Sequence, residues 1–352
     1  MVHIPLRLRI DGDALVANWR MLARLSGEAA CGAAIKANGY GLGAREAVER
    51  LAAAGCRDFF VATWAEAADL TPWPEGLTLA VLHGVGPDDL QAARELPARP
   101  VLNTVEQAAR WREIGDGRPC DLMVDTGMNR LGVTAEEAAS LVGAGLRATT
   151  LLSHLACADE PDHPLNRTQL ARFEALRRDV PAERYSLANS AGIFLGRAYA
   201  FDLTRPGIAL YGGVPVAGDP IQSGAIRPVA GLDAQIIQVR QVPEGEAIGY
   251  GATFVAPATL RVGILNIGYA DGFLRMLAKG GRARRGDESC PVLGRVSMDM
   301  IAVDLTGLGD PAPQEGDWLA VDHDLPELAA RSGLSQYELL TCLGPRFQRS
   351  WT

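Results

Sequence analysis

The stretch Ala33-Ala34-Ile35-Lys36-Ala37-Asn38-Gly39-Tyr40-Gly41-Leu42-Gly43 decides the fold, because it opens the first strand–loop–helix unit of a repeating pattern. The apolar run from Ala30 to Ile35 predicts a buried parallel strand that stops at a lysine. Asn38, Gly39, Gly41 and Gly43 predict a loop, and Ala44 to Ala54 has the apolar spacing of a helix. Burial at such a strand end disfavours the charged form of an amine and lowers Lys36 toward neutrality. A neutral amine can attack an aldehyde and form a Schiff base. The alternative is a lysine stem that covers the strand end while its head stays in water.

Outward from that unit the pattern repeats. A first amphipathic helix is predicted over residues 13–25, from Leu15, Trp19, Leu22 and Leu25. Strands are predicted at Cys31–Ile35, Phe59–Ala62, Leu77–Leu82, Pro100–Leu102, Leu122–Val124, Thr150–Ser153, Arg184–Leu187 and Leu203–Leu210. Helical spacing separates them at 44–54, 64–70, 87–96, 104–114, 134–142 and 165–179, with a shorter piece near 191–198. Strands alternating with helices imply right-handed crossovers and a parallel sheet. The count fits a closed (β/α)8 barrel better than an open doubly wound sheet. From about residue 226 the pattern changes to short strands with Gly/Pro turns: Ala234–Val239, Ala247–Tyr250, Leu260–Ile267, Pro291–Val296, Met300–Asp304 and Trp318–Val321. Helices return only near 326–332 and 335–342. The expected organisation is an α/β barrel over 1–226 and a mainly β domain over 227–352.

Composition narrows the partners. The 352-residue chain is 48% hydrophobic and 22% charged, ordinary for a soluble globular protein. A net charge of −8 argues against a nucleic-acid groove. Arg282, Arg284 and Arg285 form the one dense basic cluster and read as a solvated loop. No apolar run reaches the length of a membrane span, and the N-terminus lacks the features of a signal peptide. The six scattered cysteines read as buried thiols in a reducing compartment, so a cytoplasmic location is expected.

An αβ-barrel carries its site at the C-terminal ends of its strands. Reactive side chains fall at those points: Lys36 and Tyr40 after the first strand, Asp125 to Arg130 after the fifth, Ser153-His154 after the sixth. Ala188-Asn189-Ser190-Ala191 follows the seventh strand, and Arg205-Pro206-Gly207-Ile208 the eighth. Loops after the last two strands often hold a phosphate. Ser190 and Gly207 suit that role; an ordinary N-cap and an ordinary turn are the alternatives. Arg205 stays charged and can hold a polar ligand group at the strand mouth. A structural salt bridge is its alternative. His154 suits a supporting hydrogen bond. Tyr250 stands between Gly249 and Gly251, where a tyrosine is usually structural.

The segments Lys36 to Gly41, Asp125 to Gly132, Ser153-His154, Ala188 to Ala191 and Arg205 to Gly212 together resemble the alanine racemases. So do Tyr250 to Thr253, Gly268 to Gly272 and Gly294 to Asp299. The match runs from Lys36 to about Arg349, and its joint occurrence is specific. The resemblance implies interconversion of L- and D-alanine with pyridoxal 5′-phosphate (PLP), with Lys36 and Tyr250 working on opposite faces of the substrate. It places Tyr40, His154, Asn189, Ser190, Arg205, Gly207 and Ile208 around the cofactor with Lys36, and Arg130, Tyr269, Met298 and Asp299 at the substrate. No metal is implied. It also implies a homodimer in which Tyr250, Tyr269 and Met298 reach a partner's site.

Two positions depart from the family pattern. Met123 stands where many members carry a carbamate-modified lysine, and Gly344-Pro345-Arg346 where a phosphate-contacting tyrosine is common. A serine or broader racemase and an amino-acid decarboxylase are alternatives within the architecture, though Arg205 disfavours the decarboxylase. A PLP-carrying protein built from a barrel alone is disfavoured by the second domain.

Overall fold

A computed structural model describes residues 2–352, the side chains of 220 and 221 excepted. The chain forms two compact units: Asp13–Arg227, and Pro228–Thr352 together with the N-terminal residues up to Gly12.

In the first unit seven parallel strands pair in chain order, Ala33–Ala34, Asp58–Val61, Thr78–Val81, Arg99–Leu102, Cys120–Met123, Ala148–Leu152 and Arg184–Ser186. The eighth, Leu203–Thr204, closes the ring. It runs parallel to Ala30–Cys31, and the Asp202 and Arg205 amides donate to the Tyr185 and Ala188 carbonyls of the seventh strand. The result is the expected (β/α)8 barrel, with Phe59, Leu102, Leu122 and Leu151 among its fully buried residues. The longer helices between the strands each bury one face. Ala44–Ala54 packs Ala47, Val48 and Leu51 inward and stops at Gly55, whose φ of 117° is left-handed. The eighth strand is shorter than the predicted Leu203–Leu210: Pro206 has no amide proton to extend a ladder, and Ile208–Tyr211 winds into a 3₁₀ turn.

The second unit is a closed antiparallel barrel. Strands Leu260–Leu265, Ile301–Asp304, Glu288–Leu293, Arg282–Arg285, Trp318–Val321 and Ala230–Val242 pair in that order, and the last returns to the first. The 13-residue strand serves three neighbours, Leu6–Ile10, Trp318–Val321 and Leu260–Leu265, and its pairing with the last shifts register between Ile236 and Gln238.

Two expectations are corrected here. Residues 1–12 do not join the α/β barrel. Leu6–Ile10 pairs antiparallel with Ala230–Ala234 and parallel with Gln348–Trp351, burying Leu6, Leu8 and Ile10 while Arg7 and Arg9 point outward. The Arg282, Arg284 and Arg285 cluster is a strand rather than a loop. Asp322 takes Arg282 at 3.0 Å and Arg284 at 2.6 Å, and Glu327 takes Arg282 at 2.9 Å. These pairs neutralise the cluster and let its residues lie side by side in a strand.

Candidate active site

Lys36 begins the turn that follows the first strand. Ala37, Asn38, Gly39 and Tyr40 are all left-handed, with φ of 53°, 51°, 62° and 55°. Such a conformation costs about 1–2 kcal/mol per non-glycine residue, so the turn needs outside support. Glu66 supplies it: its carboxylate accepts from the Ala37 amide at 2.7 Å and from the Ala62 amide at 2.6 Å. Asn38 turns its side chain onto the Ala44 amide at 2.9 Å and caps the next helix. The backbone that carries the half-buried Lys36 is thereby fixed at the barrel mouth. Its pKa lies below the usual lysine value, first through burial and then through the charge of Arg130, with Glu66 opposing.

Tyr40 folds back under the turn, buried, its ring stacked on Tyr211 at 4.7 Å. Tyr211 is anchored by its hydroxyl to the Ala34 carbonyl at 3.0 Å. The Tyr40 hydroxyl lies over Gly207, where a Cβ would fall 2.1 Å from it. Gly207 is required by this close approach. Ser190, also buried, accepts from the Gly207 amide at 2.8 Å and the Ala209 amide at 3.3 Å. Asn189 caps the short helix Ser190–Phe194 through the Gly192 amide at 2.9 Å. Ile208 is buried beside them. Tyr40, Ser190 and the 207–209 backbone thus converge in one cradle.

Arg205 is 6% exposed and, among the described residues, meets no carboxylate directly. Its guanidinium donates to the Ser186 hydroxyl and, at 2.5 Å, to the Ser153 carbonyl. Burial lowers its pKa to about 10, with Asp121 opposing, so it remains charged at neutral pH. His154 follows Ser153. Burial, then the charges of Arg205, Arg130 and Lys36, push it down to about 3, so it is a neutral imidazole. All three cations act on this one ring, which places them around a single positive mouth that attracts anions.

Arg130 is exposed on a loop pinned by Asp125, which accepts the Gly127 and Met128 amides at 2.8 and 2.9 Å. Met123 is buried behind this loop, packed toward Gly132.

The remaining predicted residues lie in the β unit. Tyr250 is 71% exposed, on a turn between glycines and beside a groove of about 680 Å³ that Arg295, Ser297 and Met300 also line. The Tyr269 and Ala270 amides donate to the Ser297 and Met298 carbonyls at 3.1 and 3.0 Å, bringing Tyr269, Met298 and Asp299 together. Asp299 is taken by Arg346 at 2.6 Å, and Arg346 also grips the buried Asp271 at 2.7 Å.

Sequence reasoning passed over Ser186, Glu66 and Gln169. The Thr63-x-x-Glu66 spacing was a usable signal, since it marks a helix start whose glutamate turns back on the chain. Nothing local marks the other two.

Residues 10–215 match the family model of the alanine racemase N-terminal domain, and residues 229–351 that of the alanine racemase C-terminal domain. An alanine racemase of Jannaschia sp. is 44% identical over 349 residues, covering 98% of each chain. The alanine racemase of Bartonella henselae, solved with covalently bound pyridoxal phosphate, superposes with a TM-score of 0.90 at 35% identity over 99% of this chain and all of that one. That of Bacillus anthracis, solved with bound L-Ala-P, gives 0.89 at 25% identity, covering 100% of this chain and 96% of that one. Both units are matched over nearly their full lengths, and this chain therefore belongs to the alanine racemase family of PLP-dependent isomerases.

Proposed function

We propose that this chain interconverts L- and D-alanine, with Lys36 and Tyr250 exchanging protons at opposite faces of Cα. The observation that carries the reading is a lysine amine of lowered pKa sharing a barrel mouth with a buried, carboxylate-free arginine. The residues present fit PLP. The Tyr40 and Ser190 hydroxyls and the Ile208 amide, on a backbone that Gly207 lets come close and Asn189 buttresses, suit its phosphate. Arg205 suits its ring nitrogen, and Lys36 its aldehyde carbon. The PLP of the Bartonella relative supports this assignment. Bound PLP supplies an electron sink that acidifies the substrate Cα–H.

The chain's own groups do the rest. Arg130, exposed and with its charge felt at the amine, suits the substrate carboxylate; Met298 suits a backbone contact to it. Burial of Lys36 raises its neutral fraction, so it can take the Cα proton on its face. Arg205 keeps its protons at neutral pH and therefore weakens the sink, which favours returning the proton over losing carbon dioxide. His154, uncharged, spares Arg205 a further repulsion. Tyr250 supplies the second proton-transferring group, contributed by the partner in a homodimer. The exposed Tyr250, Tyr269, Met298 and Met300 support that assembly, since apolar side chains in such number on one unit mark an interface. Asp299 holds the Met298 loop at the substrate through Arg346. All six cysteines are free thiols, which suits the reducing cytoplasm. No helix among the described residues is long and apolar enough to cross a membrane.

Incubation of the PLP-loaded protein with a panel of single L-amino acids, followed by chiral chromatography, tests the reading. L-Alanine should run to an equal mixture of enantiomers. Unchanged alanine, or carbon dioxide release, would refute it.

The cradle makes its own prediction. Gly207→Ala drives a methyl into the Tyr40 hydroxyl, and overpacking of this kind costs about 1–3 kcal/mol. Titration of the cofactor-free variant with PLP should show affinity weakened by about 5- to 150-fold.

A further inference from the structure

Gln169 lies on the helix Pro164–Asp179, outside the reactive groups, and is fully buried. A buried carboxamide in the middle of a helix must place three hydrogen-bonding groups, and here each goes to a loop of the barrel mouth. Its Nε2 donates to the Thr126 hydroxyl at 3.1 Å and to the His154 carbonyl at 2.9 Å. Its Oε1 accepts from the Ala156 amide at 2.9 Å. Thr126 stands in the loop that carries Arg130, and His154 and Ala156 follow the sixth strand.

The network continues from there. The Thr126 and Ser153 hydroxyls are 2.7 Å apart, and the Ser153 carbonyl is the one that receives Arg205. One helical turn from Gln169, the exposed Arg172 donates to the Thr126 carbonyl at 2.9 Å and packs against Gly127. The Met123 carbonyl ties the far end of the Arg130 loop through the Val133 amide at 3.0 Å, and the Val124 amide donates to Leu152 of the sixth strand at 2.8 Å. Thr126 adds the side-chain link, to Ser153 just after that strand.

We propose that Gln169 is a positioning residue for catalysis, setting the Arg130 loop in register with His154 and the ledge that carries Arg205. The inference rests on the racemase reading above. Displacement of reacting groups by about 1 Å costs about 100-fold in rate, so loosening this clamp should appear in kinetics before it appears in cofactor content.

Gln169→Met keeps the length and removes every bond. The purified variant should hold PLP at the wild-type stoichiometry, because Lys36, Tyr40 and Ser190 are untouched. The KM for L-alanine should rise about tenfold and kcat should fall about tenfold, while inhibition by propionate, a probe of the carboxylate site alone, weakens by the same factor as KM. Arg172→Met, which cuts one exposed tie, should raise KM and the propionate constant about threefold with kcat little changed. Should Gln169→Met not fold, the Arg172 variant decides alone. A folded, fully loaded variant with wild-type KM, kcat and propionate binding overturns the proposal, even if its melting temperature has dropped. A wild-type protein without racemase activity would instead remove the reading on which the inference rests.

Discussion

Lys36→Ala should abolish the visible absorbance of covalently held PLP and lower alanine racemisation by about 10⁴-fold or more, the upper end of what one positioned proton-transfer group contributes. The variant should still fold. The turn around residue 36 is held by Glu66 on the Ala37 amide and by Asn38 on the Ala44 amide, and neither bond involves the lysine side chain. Removing an amine whose pKa burial and Arg130 have lowered relieves a strained charge, so the melting temperature of the cofactor-free protein should hold or rise. Absorption spectroscopy and calorimetry on the same sample check both halves. A coloured, active variant would show that another group carries the cofactor.

Tyr250→Phe should cost about 10²- to 10⁴-fold in racemisation. The side chain is 71% exposed, so loss of its hydroxyl leaves the fold of its own unit intact. The reaction's equilibrium constant ties the two directions together, so kcat/KM must fall by the same factor from L- and from D-alanine. The asymmetry appears in exchange. The enantiomer whose proton Lys36 removes should still take up solvent deuterium at Cα, while the enantiomer that depends on Tyr250 should not. Equal exchange from both would contradict the assignment of the two groups to opposite faces.

Much of this was legible in the chain because two periodicities are strong. Short apolar runs alternating with helical spacing expose the α/β barrel, and reactive residues at the strand mouths follow from its geometry. Lys36, Arg205 and Ser190 were readable because each stands just past a predicted strand, at such a mouth. The boundaries were less readable. Leu203–Leu210 looks like one apolar strand, yet Pro206 and Gly207 break it, and Arg205 turns into the barrel.

The N-terminal strand had a clear signal in Leu6-Arg7-Leu8-Arg9-Ile10, a strict alternation of apolar and charged side chains. What the alternation cannot give is the partner, since pairing with 230–234 and 348–351 spans most of the chain. The strand Arg282–Arg285 was hidden for the same reason: its stability depends on Asp322 and Glu327, some 40 positions away. Supporting residues such as Ser186 and Gln169 are ordinary in type, and only the folded barrel gives them their partners. Tyr250 is the opposite case. Nothing local marks it, and its assignment depends on family resemblance and on its exposure beside the Ser297–Met300 loop.

The chain contains two lysines, Lys36 and Lys279, which makes the central claim open to one direct measurement. The PLP-loaded protein is reduced with borohydride, digested, and its peptides mapped by mass. A single pyridoxyl-phosphate adduct is expected, on the peptide that contains Lys36. An adduct on Lys279, or none on either, would contradict it.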